Sequence, residues 1–298
     1  MAKKLRKRMS HKHTKRLKFY ETQDSIFKYV AMSFTGIGII VLGLLLFNVF
    51  SSGLSRIDWD FLTSFPSRRA SSAGIFAAWT GTLWIMVLTT LIAFPIGVSA
   101  GIYMEEYNNK SKLSNIIEIN ISNLAGVPSI IYGLLGLEIF ARAMGLGGSI
   151  LTGALTLSLL ILPIIIVSTR ESLKTVPYSI REASYALGAS KWQTIWAQVL
   201  PASLPGIVTG VILAISRAIG ETAPLVVIGA LTFVSFIPTS FTDEFTVLPI
   251  QIFNWVSRPQ IEFTQNAAAA IIILLSITFI MNGIAVYLRY RWQKKVKW

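Results

Sequence analysis

SILTGALTLSLLILPIIIVS, from Ser149 to Ser168, runs twenty positions without a charged side chain. About 20 predominantly apolar residues in a helix cross the hydrocarbon core of a bilayer. Working outward, further runs of this kind lie at about 29–51, 75–103, 116–140, 204–233 and 267–288. The six runs predict an all-α integral membrane protein with six transmembrane helices. Composition agrees: 53% of residues are hydrophobic and 14% charged, with a mean hydropathy of +0.61. A water-soluble domain keeps roughly 25% charged residues to coat its surface. A disordered chain is poorer still in apolar residues.

The third run is the most interrupted. Glu118 and Asn123 stand early in it, and Gly126, Pro128 and Gly133 break its pattern.

Charge sets the expected orientation. Residues 1–28 form a basic tail with ten Lys/Arg, and 289–298 form a basic C-terminus. The odd loops carry only Arg56, Arg68, Arg69, Arg142 and Arg258. Basic segments stay on the cytoplasmic side, so both termini are expected in the cytoplasm with 29–288 as the transmembrane domain. The net charge of +13 is then read as topology and contact with membrane lipids rather than nucleic acid. The first run follows a long polar leader and exceeds a signal-peptide core, so no cleavable leader is expected.

Absences exclude several chemistries. There is no cysteine, and the two histidines, His11 and His13, lie in the basic tail. Thiol nucleophiles, thiolate metal sites and histidine catalysis are therefore not expected, and no cofactor is. No G-x-x-x-x-G-K-[ST] segment occurs, so any nucleotide hydrolysis must come from another polypeptide. Glu105 and Glu106 read as solvated charges at the cytoplasmic end of the second run, and Glu138 as a buried structural carboxylate ahead of the alternative that it lines the outer vestibule.

Two segments carry mechanism. In Arg217-Ala218-Ile219-Gly220-Glu221-Thr222-Ala223-Pro224, a helix counted from Gly206 places Arg217 about 16 Å into the membrane. A lone arginine there costs on the order of 3 kcal/mol, and Glu221 at i+4 offsets it. Gly206, Gly210, Ala214, Arg217, Glu221 and Pro224 would share an arc of roughly 80° on one helix. Its small residues would admit a neighbouring helix closely. The pair is open to two readings, a structural ion pair or an anion site. In the second, the guanidinium grips a tetrahedral oxyanion while the carboxylate accepts the proton of hydrogen phosphate. Sulfate carries no such proton and would leave the carboxylate unpaired.

The other segment, about 169–201, is expected to be cytoplasmic and helical on either side of Gly188, with Trp192 and Trp196 at i, i+4. It reads either as an amphipathic connector or as a knob that docks on a soluble partner. The stretch 234–266 is expected to be external, with Phe236, Phe241, Phe253 and Trp255 at the membrane interface.

Glu182-Ala183-Ser184, then Gly188, then Leu200-Pro201, resembles the EAA loop of ABC importer permeases, with Ser184 in place of an alanine and Gln198 in place of an isoleucine. Together with RAIGETAP at 217–224, GIYMEEY at 101–107, GVPSIIYGL at 126–134 and VPYSIREA at 176–183, the chain resembles the PstA-type phosphate permeases. That resemblance implies an ABC importer permease architecture with cytoplasmic coupling helices. It implies import of inorganic phosphate by alternating access beside a PstC-type permease, with a PstB-type ATPase dimer and a PstS-type binding protein. Carried over by position, it places Arg217, Glu221, Thr222 and Ser129 in the substrate path, and Glu182, Ala183 and Gly188 at the ATPase-docking loop. Arg170 stands one turn later than the family's arginine, which makes it a weaker path residue.

Three alternatives stay open: a permease for another oxyanion (phosphonate, molybdate or sulfate), a stand-alone channel or secondary transporter gated by Arg217–Glu221, and a scaffold without transport. The EAA-like loop argues against the second and the midplane charges against the third.

Overall fold

The computed structural model describes the backbone of residues 2–107, 112–231 and 233–293. The described residues are helical apart from turns, loops and a single isolated bridge between Ser149 and Glu244. They divide into two units, Met1–Ser52 and Gly53–Trp298.

The first unit is helix α1, Ala2–Gly53. Its stretch from Tyr20 is long and apolar enough to cross a membrane, and it contains the expected first span. Phe27, Phe34, Ile39, Leu45 and Phe47 are all exposed, as side chains facing lipid would be.

In the second unit, α2 (Phe76–Ile102) continues into a π-helical turn, Tyr103–Tyr107. Next come α3 (Lys112–Leu124) and α4 (Ser129–Gly136), the latter prolonged by π-helical Leu137–Ala143. Helix α5 spans Ile150–Lys174 and α6 spans Tyr178–Ala186. Helix α7 runs Lys191–Ala218 and is followed by α8, Ala223–Val227. Helix α9 is Leu248–Val256 and α10 is Glu262–Gln293.

Among the described residues five helices are long and apolar enough to span a membrane, and α3 with α4 makes a sixth if that bent pair is one span. The third run is thus not one straight helix. It turns by 101° between Leu124 and Ser129. Pro128 has no N–H to continue the ladder, and Gly126 and Val127 instead donate to Asn123 and Leu124 in a tight turn.

The fifth run also departs from expectation. Its helix begins at Lys191 rather than near 204 and stops at Ala218, well short of 233. In a continuous helix the Pro224 ring would collide with the carbonyl of Gly220, four residues back. The chain breaks at Gly220–Thr222 and restarts with Pro224 in the first turn of α8.

Helix α5 is the axis of the packing. Ile161 and Ile165 are fully buried in the same core as Ile85 and Ala93 of α2 and Ala214 of α7. On α7, Gly206 and Gly210 lie against Ser172 and Ser168 of α5, so a side chain at Gly210 would strike the Ser168 hydroxyl. The close approach expected of the small-residue arc is present, though only as far as Ala214; Pro224 belongs to a different helix.

The segment between α8 and α10 is not a purely interfacial one. Phe236, Phe241 and Phe253 are exposed, but Trp255 is fully buried beside Phe61 and Phe263. This segment caps α5: the N–H groups of Ile150 and Leu151 donate to the carbonyls of Asp243 (3.1 Å) and Phe241 (2.9 Å). Asp243 itself accepts from the backbone N–H groups of Thr239 and Ser240. These bonds hold its carboxyl below the usual aspartate range.

Candidate functional site

Two breaks in the helical backbone meet at the site. Tyr132, on α4, donates its hydroxyl to the Leu124 carbonyl at the end of α3 (2.8 Å), bracing the inside of the 101° corner. Its neighbour Gly133 sits directly against Pro224 in α8. The corner of the third span is therefore packed on the restart of the fifth.

Arg217 occupies the last turn of α7, one residue before the helix ends, and Glu221 lies within the break. Their contact, Nε to Oε1, is 3.5 Å, at the outer limit of a hydrogen bond. The Arg217 side chain is 41% exposed and that of Glu221 17%. The two are not stacked along a regular helix as the spacing predicts, because the helix ends between them and the chain continues in tighter turns, Gly220 and Glu221 donating to Arg217 and Ala218. Thr222 and Ser129 are both half-buried, Thr222 beside Glu221 and Ser129 as the first residue of α4. A guanidinium this open and this loosely paired has donors left for an anion.

Arg170 is placed differently. Its side chain is 10% exposed and lies between two carboxylates, with Nη1 3.0 Å from Glu118 and Nε 3.5 Å from Glu105. The Nε contact lacks hydrogen-bond geometry.

Glu105 and Glu106 are not the solvated charges that the sequence suggests. Glu106 is buried in an ion pair with Arg181 of α6, 75 residues away in the chain, and Glu105 faces Arg170 of α5. Glu138, in contrast, is 69% exposed and pairs with Arg142 one helical turn on. It is not buried.

The loop that resembles the EAA motif forms two helices joined at Gly188. Its φ is +84°, which a side chain disfavours. Gly188 donates to the Tyr185 carbonyl and Ala189 to that of Ser184, closing the end of α6. The second helix opens with a reciprocal cap between Ser190 and Gln193. Ser184 pairs its hydroxyl with that of buried Thr194 (2.8 Å), which gives the departure from alanine a structural use. Gln198 is exposed.

Glu182, Ala183 and Gly188 are all exposed, as are Trp192 and Trp196, whose rings stack with centroids 5.7 Å apart. Leu187 is 89% exposed at the tip. Among the described residues no group of three or more metal-binding side chains occurs.

A helical bundle with broken spans, an arginine at a break and a protruding helix–turn–helix loop defines a membrane permease. Residues 95–294 match the family described as "Binding-protein-dependent transport system inner membrane component", and the chain belongs to that family. It is 35% identical over 242 residues to the phosphate transport system permease protein PstA of Yersinia pestis, covering 81% of each chain. It is 31% identical to the probable ABC transporter permease protein YqgI of Bacillus subtilis, over 84% of this chain and 91% of that one. Among solved structures, a bacterial alginate ABC transporter in complex with its pentasaccharide-bound periplasmic protein superposes with a TM-score of 0.66 at 15% identity, covering 91% of this chain and 96% of that one. The inward-facing MetNI methionine ABC transporter follows at 0.57 and 17%, covering 71% and 94%. At these identities the two structures speak for the fold alone.

Proposed function

We propose that this chain is the transmembrane permease subunit of an ATP-driven importer of inorganic phosphate. The observation that carries the reading is Arg217 at the fifth-span break, open to approach and held by Glu221 only at 3.5 Å. The relatives named as phosphate permeases support the same substrate.

Chemically, Arg217 attracts the oxyanion and presents paired N–H donors to two of its oxygens. Glu221 accepts the proton of hydrogen phosphate, and a fully deprotonated sulfate would face it as an unpaired like charge. Thr222 and Ser129 add hydroxyl groups beside the same break. Arg170, already claimed by two carboxylates, takes the smaller share. Contacts inside the membrane stay weak, because an ion held tightly is not released.

The chain supplies no nucleotide loop, so a PstB-type ATPase dimer binds the exposed loop at Glu182, Ala183 and Gly188. A PstC-type permease forms the other half of the path and a PstS-type protein delivers phosphate from outside. Both basic termini face the cytoplasm of the cell that carries this inner-membrane protein.

Uptake of radiolabelled phosphate by the assembled complex tests the site. Arg217→Ala is expected to abolish uptake while all subunits still co-purify; near-normal uptake would remove Arg217 from the path. Arsenate, which shares the protonation states of phosphate, is expected to compete and sulfate is not. Competition by sulfate would move the assignment to another oxyanion.

A further inference from the structure

Glu105 and Glu106 are adjacent in sequence yet serve arginines on different helices. The π-helical turn that ends α2 directs one toward Arg170 of α5 and the other toward Arg181 of α6. Such turns add a residue to the helical repeat and often mark functional positions.

Arg181 is the more completely engaged of the two arginines. Its side chain is 9% exposed and that of Glu106 6%. Nε reaches Glu106 Oε1 at 3.2 Å, and Nη2 donates to the same oxygen. Nη1 donates to the Val176 carbonyl at 2.9 Å and Nη2 to that of Leu173 at 3.2 Å, at the end of α5. One guanidinium thus ties together α6, the end of α5 and the end of α2.

Capping the end of α5 explains only the two carbonyl bonds. The fork to Glu106, 75 residues away in the chain, adds a second helix at the cost of burying two charges. A planar fork fixes direction as well as distance, which a flexible ammonium does not. The chain of charges continues beyond it. Glu105, next to Glu106, faces Arg170, which holds Glu118 on α3, and α3 leads through the 101° corner to Ser129. A cavity of about 440 Å³ lies beside the pair, lined also by Tyr178, Tyr185 and Lys191.

We infer that Arg181 and Glu106 are a positioning pair that passes movement of the loop helix α6 to the cytoplasmic ends of α2 and α5. The inference rests on the proposed docking of an ATPase at Glu182, Ala183 and Gly188. Neither Arg181 nor Glu106 touches nucleotide or phosphate in this reading; they join the motor's attachment point to the helices that carry the path.

The test uses the complete importer, this chain with its companion permease, ATPase dimer and binding protein, reconstituted in proteoliposomes. Phosphate uptake and ATP hydrolysis are measured on the same vesicles. Arg181→Lys keeps the charge but cannot hold the Glu106 fork and both carbonyls together. Uptake per ATP is expected to fall about tenfold, toward the upper end of coupling changes seen along such networks, with hydrolysis changed less than about twofold. Glu106→Gln keeps an acceptor for Arg181 and is expected to fall less, by roughly threefold.

An unchanged ratio, or a parallel loss of uptake and hydrolysis, would overturn the inference. So would failure of both variants to assemble, since the pair would then be holding the fold together rather than transmitting movement. A wild-type complex that hydrolyses ATP without moving phosphate would instead sink the proposed substrate. The pair is then judged with radiolabelled sulfate or molybdate in the same vesicles, where Arg181→Lys must lower uptake per ATP in the same way and an unchanged ratio counts against it.

Discussion

Arginine meets glutamate at both the fifth-span break and the cytoplasmic end of α2, with opposite results. At the break, Arg217 touches Glu221 through one atom at 3.5 Å and leaves 41% of its side chain open. At the cytoplasmic end, Arg181 uses donors on all three of its nitrogens and is nearly sealed. In the readings proposed above, the same two residue types therefore give a site in one place and a joint in the other. What separates them is how many of the guanidinium's donors remain unspent. A saturated arginine holds helices together, and an unsaturated one has something to offer an anion.

Stability measurements on the purified protein put the sharpest strain on this contrast. Arg181→Ala leaves Glu106 charged and unpaired in a buried place, which is expected to cost about 3–5 kcal/mol. Arg217→Ala removes an open, loosely held pair and is expected to cost no more than ~1 kcal/mol. Thermal denaturation in detergent should thus show a large drop for the first variant and almost none for the second. Equal drops would erase the distinction between joint and site.

A smaller effect is expected where α7 crosses α5. Gly210→Val drives a branched side chain into the Ser168 hydroxyl, and overpacking of this kind costs roughly 1–3 kcal/mol. The same melting assay measures it. Full stability would mean that the two helices can separate without penalty.

Gly188 gives a milder change that separates fold from partner. Among the described residues nothing lies within 4 Å of a Cβ placed there, so the left-handed backbone is what resists substitution. Gly188→Ala and Gly188→Asp are each expected to cost about 1–2 kcal/mol in the isolated chain. If Gly188→Asp alone loses the ATPase on co-purification, the difference reports the partner's groove. Retention by both variants would count against docking at this turn.

The smallest effect is at Asp243. Its carboxyl titrates below the usual aspartate range because the folded loop donates two backbone N–H groups to it. A depressed folded value means that the stabilisation is present above the unfolded value and fades as pH falls through the folded one. Pepsin digestion of the loop near residues 239–243 should increase on acidification in the wild type relative to Asp243→Asn at the same pH. Identical digestion profiles would show that the carboxylate contributes nothing to loop order.

Much of this was visible in local sequence, and the exceptions have physical causes. The turn at Gly188 could be read directly, because a left-handed helix end selects glycine. The approach of α7 to α5 followed from Gly206, Gly210 and Ala214 at four-residue spacing. The interruption of the third span was signalled by Gly126 and Pro128, although its angle was not.

The break in the fifth span was also encoded, but the arc drawn through Pro224 overlooked that its ring denies the Gly220 carbonyl a partner. Glu138 was misread although Arg142 stands one turn away, a pairing that spacing alone predicts. Glu105, Glu106 and Glu118 could not be placed in the same way. Their partners lie 52 to 75 residues along the chain, and only the packed fold brings them together. Trp255 belongs with them, since aromatic residues in a loop give no sign of which will turn inward.

In the proposed path, the two interrupted spans also set what kind of wall faces a passing ion. Each interruption takes main-chain groups out of the regular ladder and turns amides back on carbonyls three residues earlier, Gly126 and Val127 on Asn123 and Leu124, Gly220 and Glu221 on Arg217 and Ala218. A lining made partly of peptide groups depends little on which side chains surround it. Its character is set by the residues that force the bends, Gly126 with Pro128 and Gly220 with Pro224, so most of the neighbouring apolar positions are free to drift without changing what the opening offers.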